Sequence, residues 1–206
     1  MDVLEDSRRR QFFWGLSNGI VVLAMAAAIW FGIAAAFAPR VWIVPLTALS
    51  GASAAALLFG AVRVRRKAAG FGFADLERAE GSRREENRKI GVGFLWTTVA
   101  ETLAAATAAG LAMSFHRPDL LWPGIGLAVS LHFIPLAWIF HVRVYYATAV
   151  VGSAICLAAL LTPAAALGAG PRTVCLGLAM GLCVSATGGW AALRADRMVA
   201  AGADPR

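Results

Sequence analysis

Long apolar runs alternate with short polar interruptions along the chain, and the interruptions predict where the elements begin and end. The runs cover about residues 11–38, 41–62, 90–114, 120–142, 145–161 and 173–194. A helix needs about 20 predominantly apolar residues to cross the hydrocarbon core of a bilayer, with about 17 as the lower limit, so each run predicts one transmembrane helix. The first run exceeds that length and is expected to tilt or to begin in the interface. Between the runs stand Pro39-Arg40, the turn His116-Arg117-Pro118-Asp119, Arg143, and a Pro-, Ala- and Gly-rich connector at 162–172. These short connections predict an all-α integral membrane bundle of six helices arranged as three antiparallel hairpins, forming one transmembrane domain over residues 1–206.

One long hydrophilic stretch, 63–89, breaks the series. It opens with Arg63, Arg65, Arg66 and Lys67 and continues through Asp75-Leu76-Glu77-Arg78. Glu80 with Arg84 and Glu85 with Lys89 are spaced i,i+4 in the favourable order, which predicts a surface helix running into the third span. Phe71 and Phe73, beside glycines, suit the head-group layer.

Within the spans, local chemistry refines the picture. Pro45 is expected in the first turn of its helix, where a missing N–H does little harm, as is Pro123; Pro135 lies inside the fourth span and frees the carbonyl of Leu131. The run from Gly51 to Ala56 reads as a small-residue surface for helix contact, and Gly177 with Gly181 forms a G-x-x-x-G packing signal. Trp30, Trp42 and Trp122 fall towards one membrane face and Trp14, Trp96, Trp138 and Trp190 towards the other, as aromatic belts would. At a constant offset, Trp42, Ala48, Ser50 and Val62-Arg63-Val64 match Trp122, Ala128, Ser130 and Val142-Arg143-Val144. Such matches arise readily in an Ala- and Val-rich chain, so a repeat of the first two spans in the next two and simple chance both stay open.

Composition agrees with this architecture. Hydrophobic residues make up 59% and charged ones 15% of 206 residues, against roughly half and a quarter in soluble domains. The net charge of +7 could suggest nucleic acid, but the basic residues flank apolar spans and form no aromatic-interleaved patch, so no nucleic-acid partner is expected. Of the 19 Lys and Arg, all but Arg40, Arg117 and Arg172 fall on one side of the six-span pattern. The positive-inside rule then places both termini and the 63–89 linker in the cytoplasm. The expected partners are the lipid bilayer, anionic head groups at Arg63, Arg65, Arg66 and Lys67, and a second copy of the chain through small-residue helix faces. Arg8-Arg9-Arg10, an apolar run and Ala36-Phe37-Ala38 imitate a signal peptide. The run is about twice the usual apolar core and a proline follows the would-be cleavage site, so it is read as a span. Cys156, Cys175 and Cys183 lack C-x-x-C spacing and read as small packing residues.

The candidate chemistry is concentrated between Ile90 and Val142. Glu101 and His132 are the only ionisable side chains, cysteines apart, far from either end of a span. Glu101 precedes the middle of the His116-Arg117 turn by as many positions as His132 follows it, so an antiparallel pair of helices puts both about 23 Å from the turn at 1.5 Å per residue. Glu101 shares a helical stripe with Ala105, Ala108 and Ala109, and His132 with Gly124 and Ala128. Depth matching sets Ala105 opposite Ala128 and Ala109 opposite Gly124, small residues that let two backbones approach in lipid. Glu101 and His132 are therefore expected within hydrogen-bonding range. Thr97, Thr98 and Ser130 are candidate supporting residues; Asn18, in the first span, suits an interhelical hydrogen bond or the lining of a polar path.

Intramembrane ionisable groups are functional candidates by default. Two readings stay open: a small transporter or proton-coupled carrier using the pair, and a structural or partner-binding membrane protein in which the pair only fixes helix packing. One histidine and one carboxylate are too few for a metal site, which needs three or four ligands. His116 and His141 fall in turns, and no nucleophile, nucleotide, haem or zinc motif occurs in usable context. No catalytic, cofactor-binding or metal-ligating residue is expected.

Leu131-His132-Phe133-Ile134-Pro135-Leu136-Ala137, continuing through Phe140 to Tyr145-Tyr146 and taken with Glu101, resembles a group of small bacterial multi-pass membrane proteins of unknown function. The resemblance covers about a third of the chain. It implies a bacterial inner-membrane location and adds no mechanism.

Overall fold

A computed structural model describes residues 3–69, 80–140, 142–162 and 164–200. Its elements are all helical: α1 (Val3–Phe37), α2 (Arg40–Ala69), α3 (Glu80–Ser114), a 3₁₀ turn (Pro118–Leu120), α4 (Leu121–Phe140), α5 (Val144–Leu161), the short α6 (Ala164–Leu167) and α7 (Ala169–Ala200). Six of these helices are long and apolar enough to cross a membrane. α2 continues through the basic residues to Ala69, and α3 begins at Glu80, so both spans extend helically into the hydrophilic linker. Phe71, Phe73 and the Asp75–Arg78 run lie outside the described residues, as does His141.

The centre of the bundle is α1. Its buried positions include Phe13, Leu16, Ile20, Ala24, Ala27, Phe31 and Ala34, a three-and-four spacing that makes one continuous stripe. α7 answers with Leu176, Met180, Val184, Ala191 and Ala195 at the same spacing. Gly177 permits the closest approach: a Cβ there would stand 2.7 Å from the carbonyl oxygen of Trp30 and 2.8 Å from the amide of Ala34. Gly181 lies against the ring of Phe31 in the same way. In lipid, where burial of apolar surface supplies little drive between helices, dispersion at such close contacts holds the pair.

α2 covers one flank of α1 and α3 lies at the far edge on α4. α5 has its larger interface with α4, and α7 its largest with α1, so the last two spans are not each other's main neighbours. Leu23, Trp30 and Ile33 of α1 meet Phe133, Leu136 and Ala137 of α4, Ala149 and Cys156 of α5, and Leu176, Met180 and Val184 of α7 in one apolar core. The middle of the bundle is filled side chain against side chain.

Several expectations need correction. Gly51, Ala52, Ala55 and Ala56 are exposed, because α2 meets its neighbours along Leu46, Ser50, Ser53, Leu57, Ala61 and Val64 instead. A run of six small residues wraps the whole helix, so only part of it can face a neighbour. Trp30 is 3% exposed and belongs to the core, not to an interfacial belt. Because α2 already starts at Arg40, Pro45 sits beyond the first turn and leaves the carbonyl of Val41 without its helical donor. α1 is half buried whereas α3 is essentially bare.

Candidate functional site

The turn between α3 and α4 sets the site's register. α3 ends with His116 in the left-handed region (φ 53°). The Arg117 amide donates to the Ala112 carbonyl at 2.8 Å and the His116 amide to that of Met113 at 3.1 Å. That is a Schellman closure with histidine where glycine is usual. Pro118–Leu120 then turns the chain into α4. The first contact below it sets Gly124 against Ala108, whose Cβ is 3.2 Å from the position a Gly124 Cβ would take, one residue from the Ala109 that symmetric counting suggests.

Further along this seam the helices carry Glu101 and His132, close to the middle of their spans. Glu101 Oε2 lies 3.2 Å from His132 Nδ1. The same nitrogen is 3.3 Å from the Thr97 carbonyl oxygen. A carbonyl only accepts, so Nδ1 carries the hydrogen in this contact, with Glu101 Oε2 beside it as a second acceptor. Thr97 precedes Glu101 by one helical turn, which puts its carbonyl and the Glu101 side chain on the same face; that carbonyl serves its own helix with one lone pair and His132 with the other. The histidine side chain is 9% exposed and the glutamate 25%. Phe94 against Phe140 in an edge-to-face contact, ring centroids 6.2 Å apart, and Gly93 against Ile139 close the seam towards the basic ends of the helices.

The more open partner faces outwards. Glu101 lines a shallow groove of about 480 Å³ together with Thr102, Ala105, Ala106, Ala109 and Ile125. This groove opens on the flank of the bundle beside α3, not into the packed core.

The other candidates lie elsewhere. The Thr98 hydroxyl donates to Phe94 within α3, and that of Thr97 to Gly93. Ser130 is buried on the opposite side of α4, donates to Gly126 and packs against Gly152 of α5, so it does not join the pair. Asn18 accepts a hydrogen bond from Arg65 at 2.8 Å near the basic end of α2. Arg63 and Lys67 both pair with Asp196 of α7, at 3.2 and 2.6 Å. Three of the four basic residues expected at lipid head groups therefore have protein partners, and Arg66 is exposed. The three cysteines are free; Cys156 Sγ is 3.8 Å from Met180 Sδ in the core. Among the described residues no group of three or more His, Cys, Asp or Glu side chains could hold a metal ion.

Sequence reasoning missed a second polar cluster, at the bundle end that bears the 115–119 turn. Arg172, at the start of α7, is 3% exposed. Its guanidinium donates to Asp119 Oδ2 at 2.9 Å, to the Asp119 carbonyl, to Thr162 O at 2.9 Å and to Ala159 O at 3.4 Å. Arg117 holds the other side of the Asp119 carboxylate at 3.0 Å. One buried guanidinium thus ties α7 to the last carbonyls of α5 and to the entry of α4. Its neighbour Pro171 and the surrounding Ala and Gly read as a loop, and the clue available was only that an arginine stands where positive charge is scarce.

No protein-family model, curated protein or solved structure matches the chain.

Proposed function

We propose that the chain is a partner-binding multi-pass membrane protein in which Glu101 and His132 tie α3 to the bundle and hold it in one register. The observation that carries this reading is the position of α3. Ala112 is its one buried residue among those described, α4 is its main neighbour, and the Glu101–His132 contact is the polar link across that seam. Leu95, Trp96, Val99 and Leu103 are exposed on α3, leaving a helix of low hydropathy for a membrane span open to another protein in the bilayer. A photocrosslinking residue at Leu103 should give a discrete protein adduct in membranes, whereas the same residue at Leu193, exposed on α7, should not. Lipid adducts alone at both positions would refute the partner role.

The orientation in this reading has the basic ends of α1, α2, α3 and α7 in the cytoplasm, since that is where Arg63, Arg65, Arg66, Lys67, Arg194 and Arg197 gather. In a cysteine-free background, a cysteine at Phe115 should react with an impermeant reagent added to intact cells and one at Arg66 should not. The reverse pattern would invert the topology.

A second reading is supported by the groove. A carboxyl a quarter exposed at mid-span is reachable from outside the bundle, as a carrier of protons or small cations would require. The packed interior favours the first reading.

A further inference from the structure

The groove beside Glu101 combines two features that a lipid-facing surface does not need together. Its lining is apolar at Ala105, Ala106, Ala109 and Ile125, with small side chains at the three alanines, and it includes the Glu101 carboxyl beside Thr102. Small side chains leave room for bulky apolar groups, and a carboxyl at that depth, ionised against a bound cation, is a negative site in a medium that strengthens charge attraction.

His132 can answer only one oxygen of the carboxyl. The Nδ1 hydrogen lies between the Thr97 carbonyl at 3.3 Å and Glu101 Oε2 at 3.2 Å, and Oε1 has no hydrogen-bond partner among the described residues. His132 is also the only other ionisable side chain of α3 or α4 near this depth; Arg88 lies about three and a half turns away along α3, and Asp119 is in the 3₁₀ turn before α4. The geometry points to a lateral binding site for a hydrophobic organic cation, a protonated amine or a quaternary ammonium or phosphonium. Its apolar body would fill the alanine-lined groove and its charge would rest against Glu101. Access from the bilayer needs no path through the packed core.

This assignment goes beyond the tie between α3 and α4, and it stands on a different variant. Glu101→Gln keeps the shape of the side chain and leaves the His132–Thr97 bond in place, but removes the charge. The test uses the full chain in detergent and equilibrium dialysis with tetraphenylphosphonium, alongside tetraphenylborate, which has nearly the same shape and the opposite charge. The expected result is saturable binding of one phosphonium per chain and no comparable binding of the borate. Glu101→Gln should weaken phosphonium binding roughly tenfold or more. Ala106→Leu, which fills the groove and leaves the carboxyl, should abolish it. Both variants should elute as the wild type does on size exclusion, so that loss of binding is not loss of fold. Absence of phosphonium binding by the wild type, equal binding of the two probes, or full retention in Glu101→Gln would each overturn the assignment. None of these outcomes bears on whether α3 contacts a protein partner.

Discussion

Replacing Glu101 and His132 by leucine, singly and together, tests whether the two side chains act as a tie. Glu101→Leu leaves an imidazole that is 9% exposed with only the Thr97 carbonyl to answer it, and His132→Leu leaves a mid-span carboxyl with no cation or N–H beside it. Each single change therefore strands a polar group, whereas the double change removes both. The structure limits the size of the effect. The contact is 3.2 Å, but a quarter of the glutamate is open and the Nδ1 hydrogen is shared with the Thr97 carbonyl, so the pair falls well short of an enclosed, doubly bonded ion pair. Measured couplings between polar groups of membrane helices average about 0.6 kcal/mol and reach about 1.7, and a value near 1 kcal/mol is expected here. For a chain of this length that corresponds to roughly 2–4 °C in the unfolding midpoint. Thermal unfolding of the four detergent-solubilised proteins measures it. The double mutant should lose less than the sum of the single mutants. If the losses add within about 0.3 kcal/mol, the two residues are uncoupled and α3 is held by its alanine contacts alone.

Two further substitutions test the packing. Asp119→Ala removes the one carboxylate on the buried Arg172 guanidinium and should cost about 2–3 kcal/mol, less than the ~3–5 typical of a broken buried pair because three carbonyls still hold the arginine; unfolding in detergent reads it, and a loss below about 0.5 kcal/mol would show the cluster to be incidental. Gly177→Ala puts a methyl against the backbone of α1 and should destabilise by about 1–3 kcal/mol, whereas Gly189→Ala, with open space around it, should be neutral or mildly stabilising; equal effects would refute the close α1–α7 approach.

What could be counted from the sequence, and what could not, follows from the range of the forces involved. The six spans are legible because a bilayer demands about 20 apolar residues whatever their neighbours. The approach of Glu101 to His132 is legible because both are tied to one short turn and helical rise is uniform. The same counting misses by one residue at Gly124 because His116 adopts a left-handed conformation and Pro118–Leu120 forms a 3₁₀ turn, neither of which a symmetric turn includes. Trp30 shows the other limit. A tryptophan seven residues from the end of a span suits an interfacial belt as well as a core, and only the arrival of α4, α5 and α7 around α1 decides between them. Arg172 is hidden for the same reason, since the carbonyls that bury it belong to Ala159 and Thr162, at the end of another helix.

The position of α1 also governs how the protein comes to be assembled. It is made well before α7, which covers the side of α1 that carries Phe31 and Ala34. At about 5–20 residues per second, roughly eight to thirty seconds of synthesis separate the emergence of Phe31 from that of Gly181. Through that interval the nascent chain can pair α1 with α2, but the side of α1 that carries Phe31 still faces lipid or the insertion machinery. A ribosome that stalls anywhere before Thr173 releases a set of spans lacking its keystone, so quality control in the membrane would find the same exposed surface on almost any unfinished chain.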